Sequence, residues 1–275
     1  MQNFISFLLI FAGFVGSAFS QTLSKETILI ETAYGNMKIK LYEETPIHKA
    51  NFIKLVKEHY FDSLLFHRVI NTFMIQGGDH LSKRAMPGDS MGHGDIGYTL
   101  PPEFNRAIIH KKGKLAAARD GDEVNPKQES SPTQFYIVTG KVRTMEDLKK
   151  YEERINKTHY TRCAREFMKT DEGKKLKEQY NRLKSENKAD SAAIVNTKIE
   201  AAIKAEHVKT PEYTFNQQQI EVYTTVGGTP HLDGAYTIFG EVVEGLEVIH
   251  KIAEVKTDKR DRPLTDIRMK VTLVN

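Results

Sequence analysis

One short stretch of the sequence places a cation and an amide among apolar side chains. It runs from Phe66 to Asp79 and is typical of two short strands joined at Asn71-Thr72. Side chains two positions apart share a face of a strand, so its chemically useful side chains can stand together. These side chains are Arg68, Phe73, Met74 and Gln76. Arginine stays charged and holds its donors in a rigid fork, which suits hydrogen bonding to a ligand. Taken alone, however, the stretch favours the ordinary interpretation, in which Arg68 is a surface residue on a strand that packs on the core.

The segments around this stretch predict further strands and two helices. Apolar and charged residues alternate from Asn36 to Tyr42, as in a half-buried hairpin strand. Thr45-Pro46 predicts the start of a helix that runs to about Tyr60, because threonine is a fair N-cap and proline is tolerated at the first helical position. Further short strands are predicted at 114–119, 134–138, 236–243 and 266–274, and a second helix near 244–253.

The composition changes between about residues 141 and 219. Charged residues dominate there, glycine nearly vanishes, and apolar residues recur at helical spacing. This pattern predicts an inserted unit of two to four helices with a polar outer face. A solvated helical surface is the ordinary interpretation, and binding of clients or partners is the alternative.

Composition and motif context argue against several functions. The net charge is +4, and 28% of residues are charged with both signs mixed, which does not indicate a nucleic-acid-binding stripe. The single cysteine, Cys163, excludes an intrachain disulfide and is either an idle or a reactive thiol. Glycines from Gly92 to Gly97 match a dinucleotide spacing, but no apolar strand precedes them and Pro101-Pro102 follows. We therefore predict no cofactor, no metal and no nucleic-acid partner.

The first twenty residues have the character of a targeting segment. Residues 4–19 are almost wholly apolar, and Ala18-Phe19-Ser20 carries small residues where a signal peptidase reads them. We expect a signal peptide that is cleaved after Ser20, which makes the protein extracytoplasmic, in the periplasm, and free of the membrane after cleavage. An uncut membrane anchor is the alternative, because the segment before residue 4 has no Lys or Arg.

Three separated blocks of sequence carry a family resemblance. They are Phe66–Asp79, Ser130–Ile137, and Leu232-Asp233-Gly234 followed by Phe239-Gly240-Glu241-Val242. In this order they closely resemble the cyclophilin family of peptidyl-prolyl cis/trans isomerases. The resemblance covers roughly residues 27–140 and 222–275, and it leaves out the targeting segment and the charged insertion.

The resemblance implies a mainly β fold, an eight-stranded antiparallel barrel capped by two helices, with a charged α-helical insertion. A small barrel fills its interior with side chains, so the substrate groove is expected on the outer wall. The predicted organisation is a signal peptide at 1–20, the first part of the barrel at 21–140, the helical insertion at 141–219 and the last part of the barrel at 220–275.

The resemblance also implies an enzyme that isomerises Xaa-Pro bonds in unfolded or exported proteins and so assists their folding. Its partners are proline-containing polypeptides. The resemblance gives catalytic roles to Arg68, which donates to the prolyl nitrogen, to Gln76, which binds substrate backbone, and to Tyr236, which donates to the substrate carbonyl. The implied substrate-binding residues are Phe73, Met74, Ala118, Arg119, Gln134, Tyr136, His231 and Leu232.

Several of these positions depart from the commonest family pattern. His231 stands where many members have tryptophan, and Tyr236 replaces a frequent histidine. Arg119 replaces a common asparagine, and Tyr136 a common phenylalanine. These changes bear on rate and sequence preference more than on the type of reaction. Two alternatives to the enzyme remain: a binding module with vestigial isomerisation, and an insertion that acts as a chaperone arm.

Overall fold

The computed structural model describes residues 21–94 and 96–274. Its strands are β1 (Leu23–Thr32), β2 (Gly35–Tyr42), β3 (Phe66–Ile70), β4 (Met74–Gly77), β5 (Lys114–Ala117), β6 (Phe135–Val138), β7 (Ile238–Glu244) and β8 (Met269–Val274). Its α-helices are α1 (Pro46–Lys57), α2 (Met145–Lys169), α3 (Asp171–Ser185), α4 (Ala189–His207), α5 (Gln217–Thr225) and α6 (Leu246–Ala253). Short 3-10 helices lie at His80–Arg84 and Pro230–Leu232. The predicted signal peptide at residues 1–20 lies outside the described residues.

The eight strands form one antiparallel sheet in the order β3-β4-β6-β5-β7-β2-β1-β8. The two edge strands approach each other only near Leu65, which forms an isolated antiparallel bridge with Arg268. The predicted mainly β, eight-stranded antiparallel fold with helical parts is therefore confirmed. The sheet is curled as a half-barrel rather than closed by a continuous ladder of strand pairs.

Successive side chains along the strands point to opposite faces of the sheet, and both faces carry apolar residues. The concave face packs against α1 and α6, and Phe135 lies at its centre in contact with Phe52, Phe61 and Phe66. The opposite face carries a second buried cluster that includes Met74, Ala116, Tyr136 and Leu232. Because neighbours in a strand point to opposite faces, Phe135 serves the core while the next residue serves the outer surface. The outer cluster forms the wall on which a ligand cavity opens.

Helices α2, α3 and α4 lie within residues 141–219, and α5 spans the end of that segment. The three helices pack on one another through a cluster that includes Phe167, Val195 and Ile199. Near its base the segment joins the sheet domain, because Leu148 and Tyr223 pack with Ile109. The helical segment is therefore held to the rest of the chain by buried contacts as well as by its two connections. Among the described residues, no helix is long and apolar enough to cross a membrane.

Candidate active site

A cavity of about 180 Å³ opens on the outer face of the sheet. It is lined by Arg68, Phe73, Met74, Gln76, Ala118, Arg119, Tyr136, Leu232 and Tyr236. The structure thus brings together all three predicted catalytic residues and six of the predicted substrate-binding residues. Gln134 and His231 stand next to this cavity rather than in its lining.

Strand register explains why residues far apart in sequence meet at the cavity. Arg68 on β3 pairs with Gln76 on β4, and Gln76 pairs in turn with Tyr136 on β6. Directly opposed residues of an antiparallel pair have side chains on the same face. The three side chains therefore form a row across the outer surface. A turn with Thr72 at φ 64° connects β3 to β4 and places Phe73 beside this row.

The Arg68 guanidinium lies at the rim with loose contacts. Its Nε is 3.5 Å from Oδ2 of Asp261, and its Nη1 donates to Oε1 of Gln76 at 3.4 Å. Both distances exceed the usual length of a charge-assisted hydrogen bond. The side chain keeps 41% of its surface exposed. The cation is thus oriented by two neighbours while its remaining donors stay accessible to a ligand.

A chain of amides runs from Arg68 into the neighbouring loop. Gln76 Nε2 donates to Oε1 of Gln134 at 3.3 Å, and Gln134 Nε2 donates to the carbonyls of Gly92 and Gly94 at 3.2 and 3.3 Å. Gln134 thereby lines an adjoining groove of about 420 Å³ that shares Gln76 with the first cavity. Its position indicates a role in holding Gln76 and the loop beside the cavity.

The buried carboxylate of Asp79 fixes that loop. It accepts hydrogen bonds from the backbone N–H groups of Gly92 at 2.5 Å and Gly94 at 3.4 Å. A Cβ on Gly94 would lie only 2.1 Å from Oδ1 of Asp79, so a larger residue does not fit there. Asp79 follows Gly77-Gly78 as the last residue of the first sequence block, and it thus connects that block to the loop.

Arg119 forms part of the cavity wall, but its guanidinium is already bound. Its Nε donates to the Ala235 carbonyl at 2.8 Å, and its Nη1 lies 2.8 Å from Oδ1 of Asp122. The guanidinium carbon also lies 4.5 Å from the centre of the Tyr236 ring, within cation–π range. Only 4% of the side chain is exposed. The arginine therefore supports Tyr236 in the wall.

His231 stands behind the cavity as part of an aromatic stack. Its ring stacks on Phe73 at 5.5 Å between centroids and on Tyr151 of α2 at 5.6 Å. Burial lowers the pKa of His231 to about 4, so the ring is neutral at physiological pH. His231, which is predicted to bind substrate, therefore also connects Phe73 in the cavity lining to the first inserted helix.

A buried polar network lies beneath the cavity. His110 shares a hydrogen bond with the Tyr136 hydroxyl through Nε2 at 3.0 Å, and its Nδ1 lies 2.8 Å from Oδ1 of Asp233. The hydroxyls of Tyr213 and Tyr223 donate to Oδ2 of Asp233 at 3.2 and 2.7 Å. Burial raises the pKa of Tyr136 well above its ordinary value, so this hydroxyl keeps its proton.

Sequence reasoning missed this network. His110 received no role from the pattern, and Asp233 entered only as part of the Leu232-Asp233-Gly234 block. The available signal was the Asp-Gly pair itself, since a carboxylate within a mostly apolar block must find partners if it is buried. Those partners come from the sheet domain and from the end of the helical insertion, which are distant in sequence.

Comparison with known proteins gives a consistent result. The family described as "Cyclophilin type peptidyl-prolyl cis-trans isomerase/CLD" matches residues 27–152 and 143–274. A Staphylococcus aureus (strain COL) protein assigned as a peptidyl-prolyl cis-trans isomerase is 26% identical over 241 residues, with 87% of each chain covered. A Streptococcus pyogenes protein assigned as a bifunctional phosphatase/peptidyl-prolyl cis-trans isomerase is 28% identical, and the match covers 87% of this chain but only 37% of that protein.

Solved structures share the fold. The crystal structure of a Cryptosporidium parvum cyclophilin type peptidyl-prolyl cis-trans isomerase aligns with a TM-score of 0.50 at 18% identity, covering 91% of this chain and 98% of that one. A second structure of the same protein, in the presence of the dipeptide Ala-Pro, aligns with a TM-score of 0.50 at 17% identity, covering 90% and 99% of the two chains.

We expect Tyr136→Phe to lower the free energy of unfolding by about 1–3 kcal/mol, because it leaves His110 Nε2 without its partner in a buried site. Urea denaturation measures this change. Tyr34→Phe is the matched control, since the Tyr34 hydroxyl has no hydrogen-bond partner among the described residues, and it should stay within about 0.5 kcal/mol of wild type. Equal stability of the two variants would show that the His110 contact adds nothing to the fold.

Proposed function

The chain belongs to the cyclophilin-type peptidyl-prolyl cis-trans isomerase family. On that basis we propose how the residues of its cavity catalyse the cis/trans isomerisation of an Xaa-Pro bond. The substrate's proline ring occupies the apolar cavity, and Arg68 donates a hydrogen bond to the prolyl nitrogen as the amide twists. Gln76 binds the substrate backbone, and Tyr236 donates to the substrate carbonyl.

The difficulty of the reaction lies in amide resonance. Resonance opposes rotation with a barrier of about 18–20 kcal/mol, so uncatalysed exchange takes tens to hundreds of seconds. No covalent bond breaks. In the twisted state the prolyl nitrogen regains its lone pair and becomes a hydrogen-bond acceptor. A donor beside that nitrogen therefore binds the twisted state more strongly than the planar one, and this difference accelerates the rotation.

The accessible guanidinium of Arg68 at the cavity rim is the observation that carries this proposal. It is held by Asp261 and Gln76 at 3.5 and 3.4 Å, and 41% of its side chain remains exposed. A guanidinium paired tightly with a buried carboxylate would have no donor to spare. Here the charge is permanent, its direction is set by neighbours on two sides, and a substrate can reach it.

The cavity wall beside Arg68 has the apolar character that a proline ring requires. Met74 and Tyr136 are buried at 2% and 4% exposure, and Leu232 closes another side at 9%. The relative from Cryptosporidium parvum was crystallised in the presence of Ala-Pro, which supports a proline-containing peptide as the ligand class here.

The natural substrates that we propose are unfolded or newly exported proteins, whose folding the enzyme assists outside the cytoplasm. Support comes from the apolar run at residues 4–19 with small residues at the end of the segment, which is the pattern of a signal peptide. Comparison of the mature N-terminus with the encoded one, by mass spectrometry of protein from its native host, tests this export.

Arg68→Ala should lower kcat/KM for an Xaa-Pro peptide by about 10²–10³-fold, because it removes a donor that acts mainly in the twisted state. A protease-coupled peptide assay measures the rate. Arg84→Ala is the control, since Arg84 is exposed at the end of a 3-10 helix outside the cavity, and it should leave the rate unchanged.

Equal rates for wild type and Arg68→Ala would favour the alternative of a binding module with vestigial isomerisation. Affinity for a proline peptide, measured in parallel, separates the two functions. A donor that acts on the twisted state changes kcat with little change in affinity.

Activity should be nearly flat from about pH 6 to 9, because the mechanism needs no group to gain or lose a proton. Two residues in and next to the cavity supply a reason. Burial holds the pKa of His231 near 4, which leaves the imidazole neutral throughout this range, and burial raises the pKa of Tyr136 so that its hydroxyl stays protonated. Exchange rates measured by NMR across this range avoid the pH dependence of a coupling protease. A bell-shaped profile centred near neutrality would contradict the mechanism.

We also propose that the helical insertion contacts the substrate beyond the proline. A second cavity of about 550 Å³ lies between α2 and residues 231–236, and it shares Arg119, Leu232 and Tyr236 with the proline cavity. Six arginine and lysine residues and three acidic residues line it. A chain that leaves the proline cavity on this side meets a mainly positive surface, so acidic segments should be favoured there.

The double variant Arg154→Glu/Lys157→Glu should raise KM for a proline peptide with flanking acidic residues by roughly 3- to 10-fold, as expected for reversal of two exposed charges. A neutral peptide should be unaffected. Lys175→Glu/Lys177→Glu on α3 is the matched control, with the same change in net charge at exposed positions outside this cavity. Equal effects of both double variants would show that net charge, rather than the cavity, selects the peptide.

A further inference from the structure

Helices α2 and α4 bring together three side chains that are common ligands of transition metals. His159 and Cys163 lie one turn apart on α2, so they share a face of that helix, and His207 ends α4 opposite them. One ligand atom from each residue can be chosen so that all three lie within 4.8 Å of one another. The three residues are partly buried, so an ion from solvent can reach them.

The three side chains lie close enough for one ligand atom from each of them to approach a common ion. His159 and His207 approach through their Nδ1 atoms at 2.9 Å, and Cys163 Sγ lies 3.7 Å from Nε2 of His159. Bond lengths of about 2.0–2.1 Å to nitrogen and about 2.3 Å to sulfur give neighbouring ligands of a tetrahedral zinc ion separations of about 3.3 and 3.6 Å. The two contacts involve different nitrogens of His159, and one ion binds only one of these nitrogens. The three chosen ligand atoms lie within 4.8 Å of one another, so binding would draw them together by up to about 1 Å.

The side chains around the three candidate ligands are compatible with metal binding. His207 packs against both His159, at 4.9 Å between ring centroids, and Tyr160, at 5.4 Å, which holds its imidazole toward α2. The nearby Arg162 guanidinium is directed elsewhere, because its Nη1 donates to Oε1 of Gln128 at 2.8 Å. A thiolate on Cys163 would offset the positive charge of a bound ion.

We propose that His159, Cys163 and His207 bind a Zn²⁺ ion that joins α2 to α4. A thiolate with two imidazoles selects a borderline-soft ion over Mg²⁺ or Ca²⁺, which prefer oxygen ligands. The described residues supply three ligands, so a fourth position is open to water. Because α3 lies between α2 and α4 in the chain, the ion would link the second half of α2 to the C-terminal end of α4. The site lies outside the proline cavity and does not depend on the isomerase mechanism, although His159 also lines the second, larger cavity.

Titration of the full chain, without an affinity tag and freed of metal by a chelator, tests this site. Co²⁺ replaces Zn²⁺ as a spectroscopic probe, and a thiolate-to-cobalt charge-transfer band reports coordination by Cys163. Zn²⁺ should displace Co²⁺ and raise the melting temperature of the chain, because it binds the folded state. The ligand variants are Cys163→Ser and His207→Ala, and the control is His250→Ala, an exposed histidine on α6.

Cys163→Ser should abolish the charge-transfer band, and both ligand variants should weaken Zn²⁺ binding by more than about 10-fold, since loss of an outer partner of a ligand alone costs 10–100-fold. His250→Ala should bind like wild type. Far-UV circular dichroism checks that each variant keeps its helices, and the two ligand variants serve as independent tests. Absence of the band in the wild type, or equal Zn²⁺ affinity in wild type and folded ligand variants, would overturn the proposal. The histidine pair would then be a hydrogen bond alone.

Discussion

A permanent positive charge held loosely at the edge of an apolar cavity is the constraint on which the site depends. In the proposed mechanism Arg68 points toward a substrate amide, and a tight ion pair would occupy the donors that this mechanism needs. In the structure the Arg68 guanidinium lies 3.5 Å from the Asp261 carboxylate and 3.4 Å from the Gln76 amide oxygen. Both contacts are long, and the arginine side chain remains partly exposed. The amide belongs to a chain that ends on backbone carbonyls, so orientation is set by many weak contacts.

The buried carboxylate of Asp233 connects the site to the helical insertion through hydrogen bonds. Asp233 accepts from the His110 backbone and from Tyr213 and Tyr223, and His110 in turn meets the hydroxyl of Tyr136 in the cavity floor. A buried charge is tolerated only when its hydrogen bonds are satisfied, so these partners must remain in place together. The insertion is therefore coupled to the cavity through polar contacts as well as through the stack of Tyr151 on His231.

The insertion leaves the sheet intact because its ends are close in space. Lys141 forms an isolated bridge with Gly228, so the chain leaves and re-enters the sheet domain at nearly the same point. A Cβ on Gly228 would lie 2.2 Å from the His110 carbonyl, which explains the glycine at this junction. Such closure allows an insertion of about eighty residues, residues 141–219, to be added at roughly the entropic cost of closing a loop.

Residue alternation in the sequence predicted short strands. Three short motifs resemble a known family, and through that resemblance they predicted the family, the antiparallel fold and most of the residues that line the cavity. Arg68, Phe73, Met74 and Gln76 lie within one hairpin, so their meeting needed no knowledge of the rest of the fold. Three arrangements could be seen only in the folded chain. Arg119 is bound to Asp122, His231 stacks behind the cavity, and His110 and Asp233 lie beneath it. Those contacts join side chains from separate segments, and their partners depend on how strands and inserted helices pack in three dimensions.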